Sequence, residues 1–149
     1  EPKLAFNKAL SLANKTAMSL SDQFCVERHK GDFLELVKNR LDIIFANEQE
    51  IKSLINAKSF DEIITFGKQL NKTLIITRGA KGSVCMINDE VFECEAKKNL
   101  RLIDLTGAGD LFASGFLHGH LNNLSTQQSL EKGNEMSSKI IQKVGARLN

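Results

Sequence analysis

The order of apolar runs and helical stripes in this 149-residue chain predicts an α/β fold: a mostly parallel sheet, helices on both of its faces, and one short antiparallel hairpin. Three observations carry that expectation. Short apolar runs at 16–20, 42–46 and 73–77 alternate with longer stretches of helical periodicity, the order of strands joined by crossover helices. Asn88 and Asp89, which tolerate the backbone angles of a tight connection, join two further strand-like runs. A glycine-bearing turn at 106–110 stands between an apolar run and a strongly apolar helix, and sheets of this kind bind ligands outside the carboxyl ends of their strands.

The elements follow in order. The chain opens in helix-like sequence from Lys3 to Asn14, with Leu4, Ala5, Ala9, Leu12 and Ala13 on one stripe. Thr16 to Leu20 reads as a buried strand, ended by the polar break Ser21-Asp22. Asp32 is the expected cap of a helix bearing Phe33, Leu34, Leu36, Val37 and Leu41, and Asp42 to Ala46 is the next strand. A third helix starts near Asn47. A fourth starts at Ser59-x-x-Glu62, where hydroxyl and carboxylate can satisfy each other's free backbone donors. Thr73 to Thr77 is a strand through Leu74, Ile75 and Ile76, and it ends at the turn Arg78-Gly79-Ala80-Lys81-Gly82. The hairpin pairs Ser83 to Ile87 with Val91 to Glu95. Leu100 to Ile103 then leads into Asp104-Leu105-Thr106-Gly107-Ala108-Gly109-Asp110, a helix runs from Ala108 to Leu121, and a last one from Ser125 or Thr126 to Val144.

Composition narrows the function. Hydrophobic residues at 42%, charged residues at 26% and a single proline give the balance of a globular domain rather than a disordered tail. A formal charge of +2 and the absence of Tyr and Trp leave neither the basic footprint nor the mixed aromatic platforms of a nucleic-acid binder. Cys25, Cys85 and Cys94 form no C-x-x-C pair, which argues against a disulfide framework or zinc site and suits a reducing cytoplasm. No run approaches the roughly 18 apolar residues of a membrane span. The chain lacks an initiator Met and opens directly in a helix, so the expectation is a single α/β unit, residues 1–149, that is part of a larger protein.

The chemistry concentrates at residues 106–110. The first amides of a helix have no partner within it, and the helix dipole adds roughly half a positive charge at that end. Gly107 and Gly109 would let those N–H groups approach a phosphate with no side chain between. Asp110, set among the donors, could accept a proton from an alcohol attacking a phosphorus bound to the same amides; the plainer alternative is that it caps the helix. The dinucleotide fingerprint G-x-G-x-x-G would need glycine where Phe112 stands, and the G-x-x-x-x-G-K-[ST] loop occurs nowhere. His118 and His120, two apart on a helix, face different ways. Phe112 and Phe116 read as core, and Lys97 and Lys98 as a charged loop.

These residues resemble the ribokinase-like (PfkB) carbohydrate kinases. Asp104-x-Thr106-Gly107-Ala108-Gly109-Asp110-x-Phe112 with Ser114-Gly115 fits the family's second signature, Asn47-x-x-Glu50 its N-x-x-E, and Thr77-x-Gly79-x-x-Gly82 its T-x-G-x-x-G turn. The stretch 20–26 and the ending Gly145-Ala146-Arg147 are most similar to the adenosine kinase-like branch. Leu105 stands where the family usually has a small or hydroxylated residue. The resemblance covers the carboxyl-terminal, nucleotide-binding part, and implies that the amino-terminal substrate and lid part is absent.

What the resemblance implies is an ATP-dependent kinase acting on a hydroxyl of a sugar or nucleoside. Asp110 would be the base and Gly107, Ala108 and Gly109 the anion hole. Thr77, Arg78, Gly79 and Gly82 would form the nucleotide-phosphate turn, and Asn134 would line the adenine pocket. Asn47 and Glu50 would organise magnesium through water, although Asn-x-x-Glu is also a helix capping box. Asp104 and Thr106 match positions that bind a monovalent cation, often potassium. The unit alone is expected to bind nucleotide at best, with an exposed sheet edge open to homodimer pairing. Alternatives are a non-catalytic nucleotide- or ligand-binding domain on the same fold, and a kinase for the hydroxymethyl group of a vitamin-like heterocycle.

Overall fold

In the computed structural model, which describes residues 2–148, five strands form one sheet in the order β1-β2-β3-β4-β5. They are β1 (Ala17–Ser19), β2 (Ile43–Asn47), β3 (Thr73–Thr77), β4 (Ser83–Ile87) and β5 (Glu90–Cys94). The first three are parallel; β4 opposes β3 and β5 opposes β4, so four of the five run in one direction. Asn88 and Asp89 make the hairpin turn with φ of 51° and 65°, the positive angles that match the twist of the strands they join.

The period of two sorts the core into two layers. Ile44, Ala46, Leu74, Ile76, Val84 and Met86 face one side, where they meet Val26, Val37, Ile51, Leu54 and Ile63 from α2 (Gln23–Arg28), α3 (Lys30–Asn39), α4 (Glu48–Ile55) and α5 (Phe60–Gln69). Ile43, Phe45, Ile75 and Cys85 face the other, under Phe112 and Phe116 of α6 (Ala108–Leu121) and Leu130 of α7 (Thr126–Ile140). Phe116 meets Phe45 edge to face at 5.6 Å. β2 and β3 are covered on both faces, which is why their sequences read as unbroken apolar runs.

Several boundaries differ from the sequence reading. The first helix, α1, spans Pro2–Leu12 and stops short of Asn14. Ser21-Asp22, read as a break, starts α2: the Asp22 carboxylate accepts from the Phe24 N–H at 2.6 Å. Asp32 does not cap α3, which begins two residues earlier at Lys30, because His29 ends α2 and starts α3 at once and the two helices share one joint. At α5, Ser59 Oγ accepts from Glu62 N–H, but the Glu62 carboxylate accepts from Lys58 N–H at 3.0 Å rather than from Ser59, so the box is only half made. β5 starts one residue early, at Glu90. α7 ends at Ile140 rather than Val144, because the carbonyl of Ile141 takes the N–H groups of Ile103 and Asp104, and the tail turns to lie along that segment.

Candidate functional site

The carboxyl ends of β2 and β3 lie side by side, with Asn47 in register with Thr77, and the start of α6 comes up beside them. A cavity of about 670 Å³ opens between the end of β3 and the start of α6. Thr77, Gly79 and Gly82 of the β3–β4 turn line it, with Ala108, Gly109 and Phe112 of α6 and Asn134 of α7. Lys97 and Lys98, read from sequence as an unremarkable charged loop, also line it, and Leu100, Leu102 and Leu105 give it an apolar wall. The signal that could have found them is their position: they form the segment that feeds directly into the glycine turn. A second, more open groove of about 500 Å³ by Gln128, Glu131 and Lys132 contains neither a glycine turn nor a helix start.

The glycine turn at the start of α6 sets free backbone donors beside open space. Gly107 sits at the helix cap with φ of 77°, and a Cβ there would lie 2.9 Å from the Ala146 side chain, so the position needs glycine twice over. At Gly109 a Cβ would meet nothing within 4 Å, so the missing side chain leaves open cavity. The Ala108 N–H is engaged by the Leu105 carbonyl at 3.1 Å. Among the described residues the N–H groups of Gly107, Gly109 and Asp110 have no acceptor, so the free donors differ by one residue from the set expected from sequence. Asp110 is the third residue of α6 and exposed; it is not the cap, and no described side chain or backbone group bonds its carboxylate.

Other expected site residues are turned to internal work. Asp104 Oδ1 accepts from Thr106 N–H at 2.8 Å and Thr106 Oγ at 2.7 Å, while Oδ2 accepts from Gly145 N–H at 2.9 Å. These bonds, led by the Thr106 hydroxyl, hold the Asp104 carboxyl down at about 2. The pair therefore ties the glycine turn to the carboxyl-terminal tail. Asn47 and Glu50 form a complete capping box: Asn47 Oδ1 takes Glu50 N–H at 2.8 Å, and the Glu50 carboxylate takes Asn47 N–H and Nδ2, each at 2.9 Å. Glu50 is only 5% exposed. Burial pushes its carboxyl up, the Asn47 N–H acts against that, and the Asp22 carboxylate adds to it.

Arg78 does not face the cavity. Its Nε donates to Glu48 at 2.9 Å, and its guanidinium stands 3.5 Å over the Phe60 ring. Asn134 lines the cavity, but its amide is engaged: it accepts from Ser83 Oγ at 3.1 Å and donates to the carbonyls of Cys94 and Glu95 at 3.3 and 3.1 Å. Gly82 carries φ of 86°, and a Cβ there would fall 2.0 Å from the Cys94 carbonyl oxygen, so its glycine serves the joint between turn and β5. Among the described residues no three acidic, histidine or cysteine side chains converge as metal ligands. None of the described helices is long and apolar enough to cross a membrane.

A glycine turn at a helix start, a second glycine turn across a cavity, and a carboxylate beside free amides thus come together on one α/β sheet. Residues 3–149 match the pfkB family of carbohydrate kinases, and the chain belongs to that family. It is 32% identical over 125 residues to an uncharacterized sugar kinase of Archaeoglobus fulgidus, covering 81% of this chain and 48% of that protein. It is 29% identical over 120 residues to a nucleoside kinase of Methanocaldococcus jannaschii, covering 80% and 39%. Among solved structures, adenosine kinase from Sinorhizobium meliloti superposes with a TM-score of 0.93 at 35% identity, over 98% of this chain and 46% of that one. A probable sugar kinase from Rhizobium etli gives 0.94 at 34% identity, over 99% and 46%. The chain thus spans less than half the length of each of these four proteins.

Proposed function

We propose that this chain is the nucleotide-binding and catalytic portion of a kinase that moves the γ-phosphoryl group of ATP to a hydroxyl of a sugar or nucleoside. The observation that carries the proposal is the cavity, which brings Thr77 and Gly79, Ala108 and Gly109, and Asn134 to one place from three distant segments. The nucleotide lies in it with its phosphates against the Gly79 turn and the start of α6. The apolar wall from Leu100 to Leu105 takes the base, and Lys97 and Lys98 supply positive charge at the rim.

The free amides of Gly107, Gly109 and Asp110, at the positive end of α6, hold the charge that develops on the transferred group. Asp110 takes the proton of the acceptor hydroxyl as its oxygen bonds to phosphorus, and the bond from the γ-phosphorus to ADP breaks in line. Asn47 and Glu50 keep their capping-box bonds, and each Glu50 oxygen, holding one of them, can still accept from a magnesium-bound water, while Asp104 and Thr106 stand beside the glycine turn as the candidates for a monovalent cation. Asn47 and Glu50 would order the waters of a magnesium ion carried by the nucleotide's phosphates. Because the chain spans less than half the length of its relatives, we assign acceptor recognition to the part they have beyond it, and expect these 149 residues to bind ATP without appreciable transfer.

The test is calorimetric titration with magnesium ATP alongside an assay of transfer to ribose, fructose, adenosine and cytidine. The chain should bind ATP saturably and transfer to none of them. A protein that restores the acceptor half should phosphorylate at least one, and Asp110→Asn should lower that rate by about 10²–10⁴-fold. Undiminished turnover in Asp110→Asn would remove Asp110 as the base.

A further inference from the structure

We propose that Arg78 is a positioning residue, an internal strut that sets the shape of the Thr77–Gly82 turn from behind and takes no part in holding nucleotide phosphates. The proposal rests on the reading of that turn as part of the nucleotide site. Its basis is that the guanidinium is held away from the cavity: Nε bonds Glu48 at 2.9 Å, the group stands 3.5 Å over the Phe60 ring, and both charged side chains are only 17% exposed. The residue's backbone is engaged within the turn. Its N–H donates to the Gly82 carbonyl at 2.8 Å, and its carbonyl accepts from the Lys81 N–H at 3.1 Å. Arg78 therefore grips the turn with its main chain and the head of α4 with its side chain.

The far end of the strut is fixed. Glu48 is the first residue of α4, and the Asn47–Glu50 capping box holds that helical turn immediately around it. The other Glu48 oxygen takes Lys52 Nζ at 2.7 Å, so the carboxylate that receives Arg78 is held from two sides. Asn47 and Thr77 are in register at the ends of β2 and β3, so the N-x-x-E segment and the glycine turn are linked as one rigid piece. A lysine could keep the charge but not the planar stack and the Nε–H bond together.

The test combines amide hydrogen exchange at Lys81 and Gly82 with ATP titration, in Arg78→Gln, Arg78→Lys and Glu48→Gln. Loss of a half-buried ion pair and a cation–π contact predicts about tenfold faster exchange at both amides in Arg78→Gln. Glu48→Gln should speed exchange and weaken ATP binding in the same direction, and Arg78→Lys should recover only part of either loss. If Glu48→Gln leaves exchange unchanged, or tightens ATP binding while Arg78→Gln weakens it, the guanidinium serves the ligand and the proposal is overturned. A wild-type chain that binds no ATP would count against the proposed function, while the exchange rates would still decide the strut.

Discussion

Replacing Asn134 by alanine should separate a framework residue from a ligand contact. The amide makes three bonds in the structure, one from Ser83 Oγ and two to the carbonyls of Cys94, the last residue of β5, and of Glu95 just beyond it, and so pins the middle of α7 to the hairpin. Ser83 is 1% exposed, so its hydroxyl would be left without an acceptor inside the protein. At about 0.5–1.5 kcal/mol net per bond, with the 3.3 Å bond the weakest, the loss comes to about 2–3 kcal/mol. For a domain of this size that lowers Tm by roughly 5–10 °C. The assay is urea unfolding followed by circular dichroism, with the midpoint falling and the slope unchanged. Asn134→Asp keeps the shape and one acceptor but faces two carbonyls with a carboxylate, so it should be no more stable than the alanine variant. A stability loss below about 0.5 kcal/mol together with lost ATP affinity would show that the amide works on the nucleotide instead.

Two further outcomes follow from the packing and the charges. The Ser129 hydroxyl is buried between α6 and α7 with no partner among the described residues, 2.8 Å from where a Cβ on Gly119 would lie, so Ser129→Ala should stabilise the chain by about 1 kcal/mol in the same urea assay. The Asp104 carboxyl is held down at about 2, so its contribution is present above the ordinary value of 3.8 and is lost as pH falls through about 2. The stability gap between wild type and Asp104→Asn should therefore close between those two pH values; a gap independent of pH would show that the Thr106 and Gly145 bonds do not favour the ionised form.

The sheet was legible because its strands are covered on both faces: Ile43–Ala46 and Leu74–Ile76 have no polar member to blur them. The glycine turn was legible because glycine at 107 and 109 and aspartate at 110 are short-range features, and the structure brings Gly109 to the same cavity as Thr77 and Gly79. What escaped were facts of the third dimension. α2 buries only Val26, too little for a periodic stripe. The partner of Arg78 lies thirty residues upstream, and nothing local distinguishes a guanidinium aimed at a phosphate from one stacked on Phe60. For Asn47 and Glu50 the local reading as a capping box is the one the geometry shows, while Lys97 and Lys98 reach the cavity by the course of an irregular segment that has no pattern to read.

The most direct test of the account is a titration of this chain with magnesium ATP beside Gly109→Leu. Position 109 has ordinary helical angles and open space where its side chain would stand, so leucine should fill that space while leaving the fold intact, which circular dichroism and the unfolding midpoint would verify. The account predicts saturable binding by the wild type and its loss in the variant. Equal ATP affinity in the two folded proteins would contradict it, because the phosphates would then lie somewhere other than the start of α6.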